Sequence, residues 1–178
     1  RQLGKTALMR RAEQMFHAPD KGRWSYYIDL RAEGIGVNRS ASEVWQSIAA
    51  AMKSVGVLTE APTLAELTKR AGIDSLLENI RAFLDKNAER RVLLLLDEAD
   101  RFFEQDGRHD FSETRRLKQI MDSTQRRFKV VFAGLHNVLR MTERANHPLA
   151  HFGQPIKIGP FIEEHEIREA RELIRLPL

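Results

Sequence analysis

Val92-Leu93-Leu94-Leu95-Leu96 is an apolar run with no polar residue inside it. A strand with one wet face alternates apolar and polar residues. An unbroken run of this kind is the pattern of a strand covered on both faces of a parallel sheet. Parallel neighbours must be joined by crossovers, which helices usually supply. The flanking segments read that way. Leu8, Ala12, Met15 and Phe16 recur at helical spacing and predict a helix over Thr6 to His17. Val44, Ile48, Ala51, Met52 and Val55 predict a second, with Ser40 or Ser42 as N-cap and Gly56 as stop. Ile73, Leu76, Leu77, Ile80, Phe83 and Leu84 mark a third, and Leu117, Ile120 and Met121 a fourth from about Ser112 to Thr124. Ala61 to Gly72 reads as a loop with a short helix. Trp24 to Leu30 and Phe128 to Ala133 predict further strands, and Pro155 to Ile158 a shorter one. A last helix starts at Glu163, with Ile167, Ala170, Leu173 and Ile174 on one face and Pro177 as its limit. Strand and helix signals in alternation define an α/β fold.

The 178 residues, 42% of them hydrophobic, suffice for one core. No apolar stretch approaches the roughly 18 residues that a membrane span requires, and no signal-peptide apolar region opens the sequence. With no cysteine, a disulfide framework and a thiolate zinc site are excluded. The net charge of +4 arises from scattered basic pairs, among them Arg10-Arg11, Arg90-Arg91, Arg115-Arg116 and Arg126-Arg127. These read as solvated faces; nucleic acid as a partner is not indicated.

Two short motifs carry chemistry. Gly4-Lys5-Thr6 stands directly before the first helix and matches the close of the phosphate-binding signature G-x-x-x-x-G-K-[ST], whose opening glycine would lie upstream of Arg1. In that arrangement backbone N–H groups and the positive helix end surround phosphates, lysine neutralises their charge, and the threonine hydroxyl ligates magnesium. The second motif is the Val92 to Leu96 run ending in Asp97-Glu98. A buried strand there delivers one carboxylate to a magnesium shell, and the next residue orients or deprotonates the attacking water. The plain alternative is a core strand meeting a solvated acidic turn, Asp97 to Asp100.

With these residues the sequence resembles the ASCE division of P-loop ATPases, and within it the AAA-like and STAND-like nucleotide switches. Arg1 to Thr6 are similar to a truncated Walker A motif, Val92 to Glu98 to Walker B, and Val130 to Asn137 to the strand and polar turn called sensor 1. His136-Asn137, His147-Pro148-Leu149 and Ile158-Gly159-Pro160-Phe161 resemble bacterial multidomain ATP-binding proteins of the STAND type. The resemblance implies a three-layer P-loop fold with helices on both faces of a parallel sheet in the order 2-3-1-4-5. Strand 1 precedes Walker A and is absent from this sequence. On this expectation residues 1–162 form the ATPase core and 163–178 begin a C-terminal lid or connecting helix.

The resemblance also implies roles. Gly4, Lys5, Thr6 and Ala7 would hold the phosphates, Thr6 and Asp97 the magnesium, and Glu98 the catalytic water. Asn137 would be the sensor, with His136 as competitor and local turn chemistry as the alternative for both. Arg126 or Arg127 would be an arginine finger reaching a neighbouring subunit; the alternative is a solvated pair at a helix C-terminus. Arg101 reads as a surface or salt-bridge residue. His136, His147 and His151 do not have the spacing of a zinc site. Trp24, Tyr26, Tyr27 and Trp45 read as core rather than as stacking platforms. The expected function is Mg-ATP binding with slow hydrolysis, as the switch of a larger STAND-like protein in the cytosol. Its partners would be ATP, flanking domains and further copies of the chain, and the isolated segment would be a weak ATPase. The rival readings are an AAA-like ring motor or loader acting on nucleic acid or protein, and a nucleotide-binding scaffold that does not hydrolyse.

Overall fold

The computed structural model describes residues 4–135, 148–153 and 156. Helix α1 spans Lys5–Phe16, strand β1 Arg23–Asp29, α2 Val44–Ser54, α3 Leu64–Leu67, α4 Arg70–Asp85, β2 Arg91–Asp97, α5 Asp100–Asp106, α6 Ser112–Ser123 and β3 Phe128–Phe132. The three strands form one parallel sheet in the order β1-β2-β3. The strand expected over 155–158 and the helix from 163 lie outside the described residues, apart from Ile156, which is exposed.

The order differs from expectation at one place. The 2-3-1-4-5 arrangement would leave a slot between the Val92 and Phe128 strands. Instead β2 and β3 are direct neighbours, with Val92 opposite Phe128 and Leu96 opposite Phe132. β2 therefore has partners on both sides, Arg23 to Asp29 on one and Phe128 to Phe132 on the other. This satisfies the backbone groups of the most deeply buried strand without an inserted segment.

The pleat sorts side chains into two layers. Tyr26, Ile28, Val92, Leu94, Leu96, Phe128 and Val130 face the main core together with Trp45, Ile48, Leu76, Ile80, Phe102, Leu117 and Ile120 from α2, α4, α5 and α6. The other face carries Ser25, Tyr27 and Asp97 and meets α1: Ser25 Oγ donates to the Glu13 carbonyl at 2.8 Å, and its N–H to His17 Nδ1 at 3.2 Å. Met9 is the buried residue of α1, whereas Leu8 and Met15 are exposed.

Local signals explain the ends. Ser40 and Glu43 make a reciprocal capping box ahead of α2, so Ser40 rather than Ser42 is the cap. α6 ends on Gln125 and Arg126, both left-handed, with the Arg126 N–H returning to the Met121 carbonyl at 2.8 Å. α5, which no sequence pattern predicted, is held by Phe102 and Phe103 packing on each other and against Phe132. The loop after β1 rests on it. Gly36 has φ +79°, and a Cβ there would stand 2.5 Å from the Arg101 carbonyl oxygen. Gly36→Ala is therefore expected to cost more than about 1 kcal/mol of stability through strain and backbone overlap. Urea unfolding checks this; an unchanged midpoint would show that the loop yields without cost.

Candidate nucleotide site

The site lies where the start of α1 meets the C-terminal end of β2. Gly4 caps α1 in the left-handed conformation, φ 70°, with no side chain bonded over the helix start and no acidic residue in the first turn. The first-turn amides of α1 and its positive end face this point, with no carboxylate from the helix's own first turn beside them. Lys5 and Thr6 are its first residues. Thr6 Oγ1 donates to Asp97 Oδ2 at 2.6 Å, across 91 positions of sequence.

Asp97 is 1% exposed, which rules out the reading of a solvated acidic turn. Its backbone carbonyl accepts the Leu30 N–H at 3.1 Å, and its Oδ1 accepts the Glu98 N–H at 2.9 Å. Glu98 then adopts φ 53°, a left-handed conformation that costs a non-glycine residue about 1 kcal/mol. This turn ends the strand abruptly: Ala99 donates to the Ala133 carbonyl at 2.9 Å and α5 begins at Asp100.

One site residue escaped the sequence reading. Tyr27, taken there for core, is only half-buried, and its hydroxyl donates to Asp97 Oδ2 at 2.9 Å. Burial first, and then the hydrogen bond and negative charge of Asp97, push the phenol up to about 12, so it remains a donor at neutral pH. The Arg10 guanidinium lies 3.6 Å from the ring centroid. The available signal was register alone, since Tyr27 shares a face of β1 with Asp29, the partner of Asp97. Tyr26 and Trp45 are buried, and Trp24 is half-buried against Phe83.

Other candidates lie elsewhere. Arg127 is level with Arg91 at the opposite end of the sheet, about 20 Å from Asp97 at roughly 3.3 Å per residue. Its guanidinium donates to the Leu84 carbonyl at 2.6 Å and pairs with Asp85, closing the end of α4. Arg126 donates to the Phe152 carbonyl at 3.3 Å and lies 3.8 Å from Asp122. Arg101 pairs with Glu104 at 2.7 Å on the surface. His136, Asn137 and His147 lie outside the described residues.

The donor set fits magnesium: a hydroxyl and a buried carboxylate, both hard oxygens, beside a helix start that would receive phosphate. Magnesium is commonly held by one or two protein oxygens, with phosphates and waters completing its shell. Helix start, buried acidic strand end and parallel sheet together define an α/β domain of the P-loop type. The chain belongs to the AAA domain family, whose sequence model matches residues 1–142. No curated protein and no solved structure matches it.

Proposed function

We infer that this chain binds Mg-ATP and hydrolyses it slowly, as the nucleotide switch of a larger, STAND-like regulatory protein. The observation that carries the reading is the 2.6 Å bond between Thr6 and Asp97, which joins the helix start to the acidic strand end. Gly4, Lys5, Thr6 and Ala7 take the phosphates, with Lys5 supplying compensating charge; Thr6 and Asp97 take the metal. Magnesium, when bound, neutralises charge on the transferred phosphoryl group. Glu98, carried on the turn that follows Asp97, orients and deprotonates the attacking water. Asn137 is assigned the sensor role on the strength of its position after β3.

The switch is favoured over a ring motor by one observation. A ring needs an arginine free to enter its neighbour's site, and among the described residues the two expected for that role, Arg126 and Arg127, are engaged within their own chain. Isothermal titration with Mg-ATP tests the binding. The unaltered protein is expected to bind, and Lys5→Ala to weaken binding at least tenfold, a difference of about 1.4 kcal/mol. Equal affinity in the two would remove Lys5, and with it the phosphate loop, from the reading.

A further inference from the structure

Three donors converge on the Asp97 carboxylate, and they are not equivalent. Oδ1 accepts the Glu98 N–H, a fixed backbone group at 2.9 Å. Oδ2 accepts two hydroxyls, Thr6 at 2.6 Å and Tyr27 at 2.9 Å. A carboxylate oxygen offers two lone pairs, so Oδ2 is fully engaged. Thr6 belongs to the phosphate-binding end of α1. Tyr27 comes from β1, whose ladder to β2 runs unbroken from Arg23–Arg91 to Asp29–Asp97. The ring is restrained from the other side by Arg10, which in turn pairs with Glu13 at 3.1 Å. Tyr27 is thus fixed by the sheet and by a stacked cation, with its hydroxyl aimed at the acid.

We propose that Tyr27 is a positioning residue for the magnesium-binding carboxylate, its hydroxyl fixing the orientation of Asp97 independently of Thr6. The proposal rests on the reading of Asp97 as a metal ligand. Its physical basis is a division of the two lone pairs on Oδ2. Thr6 can serve the cation through an oxygen lone pair while its O–H still donates to Asp97, but the hydroxyl then moves with the cation, and a carboxylate held otherwise only by the Glu98 N–H would move with it. Tyr27 holds the second lone pair throughout, so the acid keeps its aim. Groups that orient a metal ligand in this way typically contribute tenfold to a hundredfold in metal affinity.

Tyr27→Phe in the full chain is the test, because it keeps the ring and the Arg10 stack and removes one hydroxyl. Binding of a fluorescent ADP is measured in EDTA and across a Mg2+ titration, beside the urea unfolding midpoint. The expected result is an apparent Mg2+ affinity about tenfold weaker, with the affinity in EDTA unchanged and the urea midpoint lowered only by the loss of one hydrogen bond to a buried carboxylate. A lower midpoint with the magnesium dependence intact would assign Tyr27 to stability alone and overturn the proposal. Equal loss with and without Mg2+ would overturn it as well. In the unaltered protein, adding Mg2+ to the ADP complex should perturb tyrosine absorbance. The chain has two tyrosines, and Tyr26 lies buried on the opposite face of β1; a silent spectrum also counts against the proposal. If the unaltered protein shows no magnesium-dependent binding, the reading of Asp97 falls with it, a failure distinct from one confined to Tyr27→Phe.

Discussion

Glu98→Gln is expected to leave Mg-ATP affinity near that of the unaltered protein while lowering hydrolysis by about 10²- to 10⁴-fold, the range a general base contributes. Glutamine keeps the length and shape of the side chain and loses only its capacity to take a proton. The backbone supports this separation. Glu98 is placed by its left-handed turn and by its N–H bond to Asp97, neither of which involves its carboxylate. On the proposed reading, ground-state phosphate binding falls to Lys5 and the α1 amides, whereas Glu98 acts on water, an interaction realised in the transition state. Calorimetry for affinity and single-turnover phosphate release for hydrolysis separate the two. A Gln variant that loses affinity as much as rate would show that Glu98 belongs to binding instead.

Trp45→Ala should be among the most damaging single changes to the fold, costing about 3–5 kcal/mol. Trp45 is 0% exposed in α2, and its indole Nε1 donates to Glu113 Oε2 at 2.6 Å. Glu113 also receives Arg116 at 2.9 Å, and its backbone N–H reaches Asp106 Oδ1 at 3.0 Å. Asp106 further accepts the Thr114 N–H and hydroxyl at 2.9 and 2.6 Å, closing the start of α6. Burial raises the pKa of Asp106 above the usual carboxylate range even against these bonds. Removing the indole therefore opens a cavity and strips one partner from a buried carboxylate that links α2 to α6. Trp45→Phe keeps most of the volume and should cost less, about 1–3 kcal/mol, chiefly from one lost hydrogen bond to Glu113 Oε2, which keeps Arg116. Urea unfolding of both variants gives the comparison. Equal costs would mean that the cavity contributes nothing beyond the lost hydrogen bond.

The elements that could be read from the sequence are those whose burial is written in their periodicity. The α4 pattern from Ile73 to Leu84 and the unbroken Val92 run state which faces are dry, and the structure buries those faces. α5 was missed because two adjacent phenylalanines make no period, and the acidic residues before them resemble a turn. Strand order was misjudged because sequence says which segments are strands, whereas pairing depends on contacts far apart in the chain. Within the candidate site, Gly4-Lys5-Thr6 and Asp97-Glu98 could be singled out because spacing and residue type are themselves the signal, and the structure brings Thr6 and Asp97 together. Tyr27 could not, since an aromatic residue on a half-buried strand looks the same whether its hydroxyl meets solvent or an acid. Only the β1–β2 register separates those cases.

The two halves of the candidate site belong to layers of unequal cohesion. Asp97 and Glu98 end a strand set in the main core, whereas Lys5 and Thr6 ride on α1, which among the described residues buries Met9 and is otherwise joined to the sheet largely through polar ties. A ligand spanning both would act as mortar between a wall and a loosely laid course. Part of its binding free energy would appear as added stability of the weaker layer, so the occupancy of the site and the seating of α1 would be two views of a single equilibrium. On the proposed switch reading, a signal to the rest of a larger protein would then need no separate relay: the position of α1 would carry it.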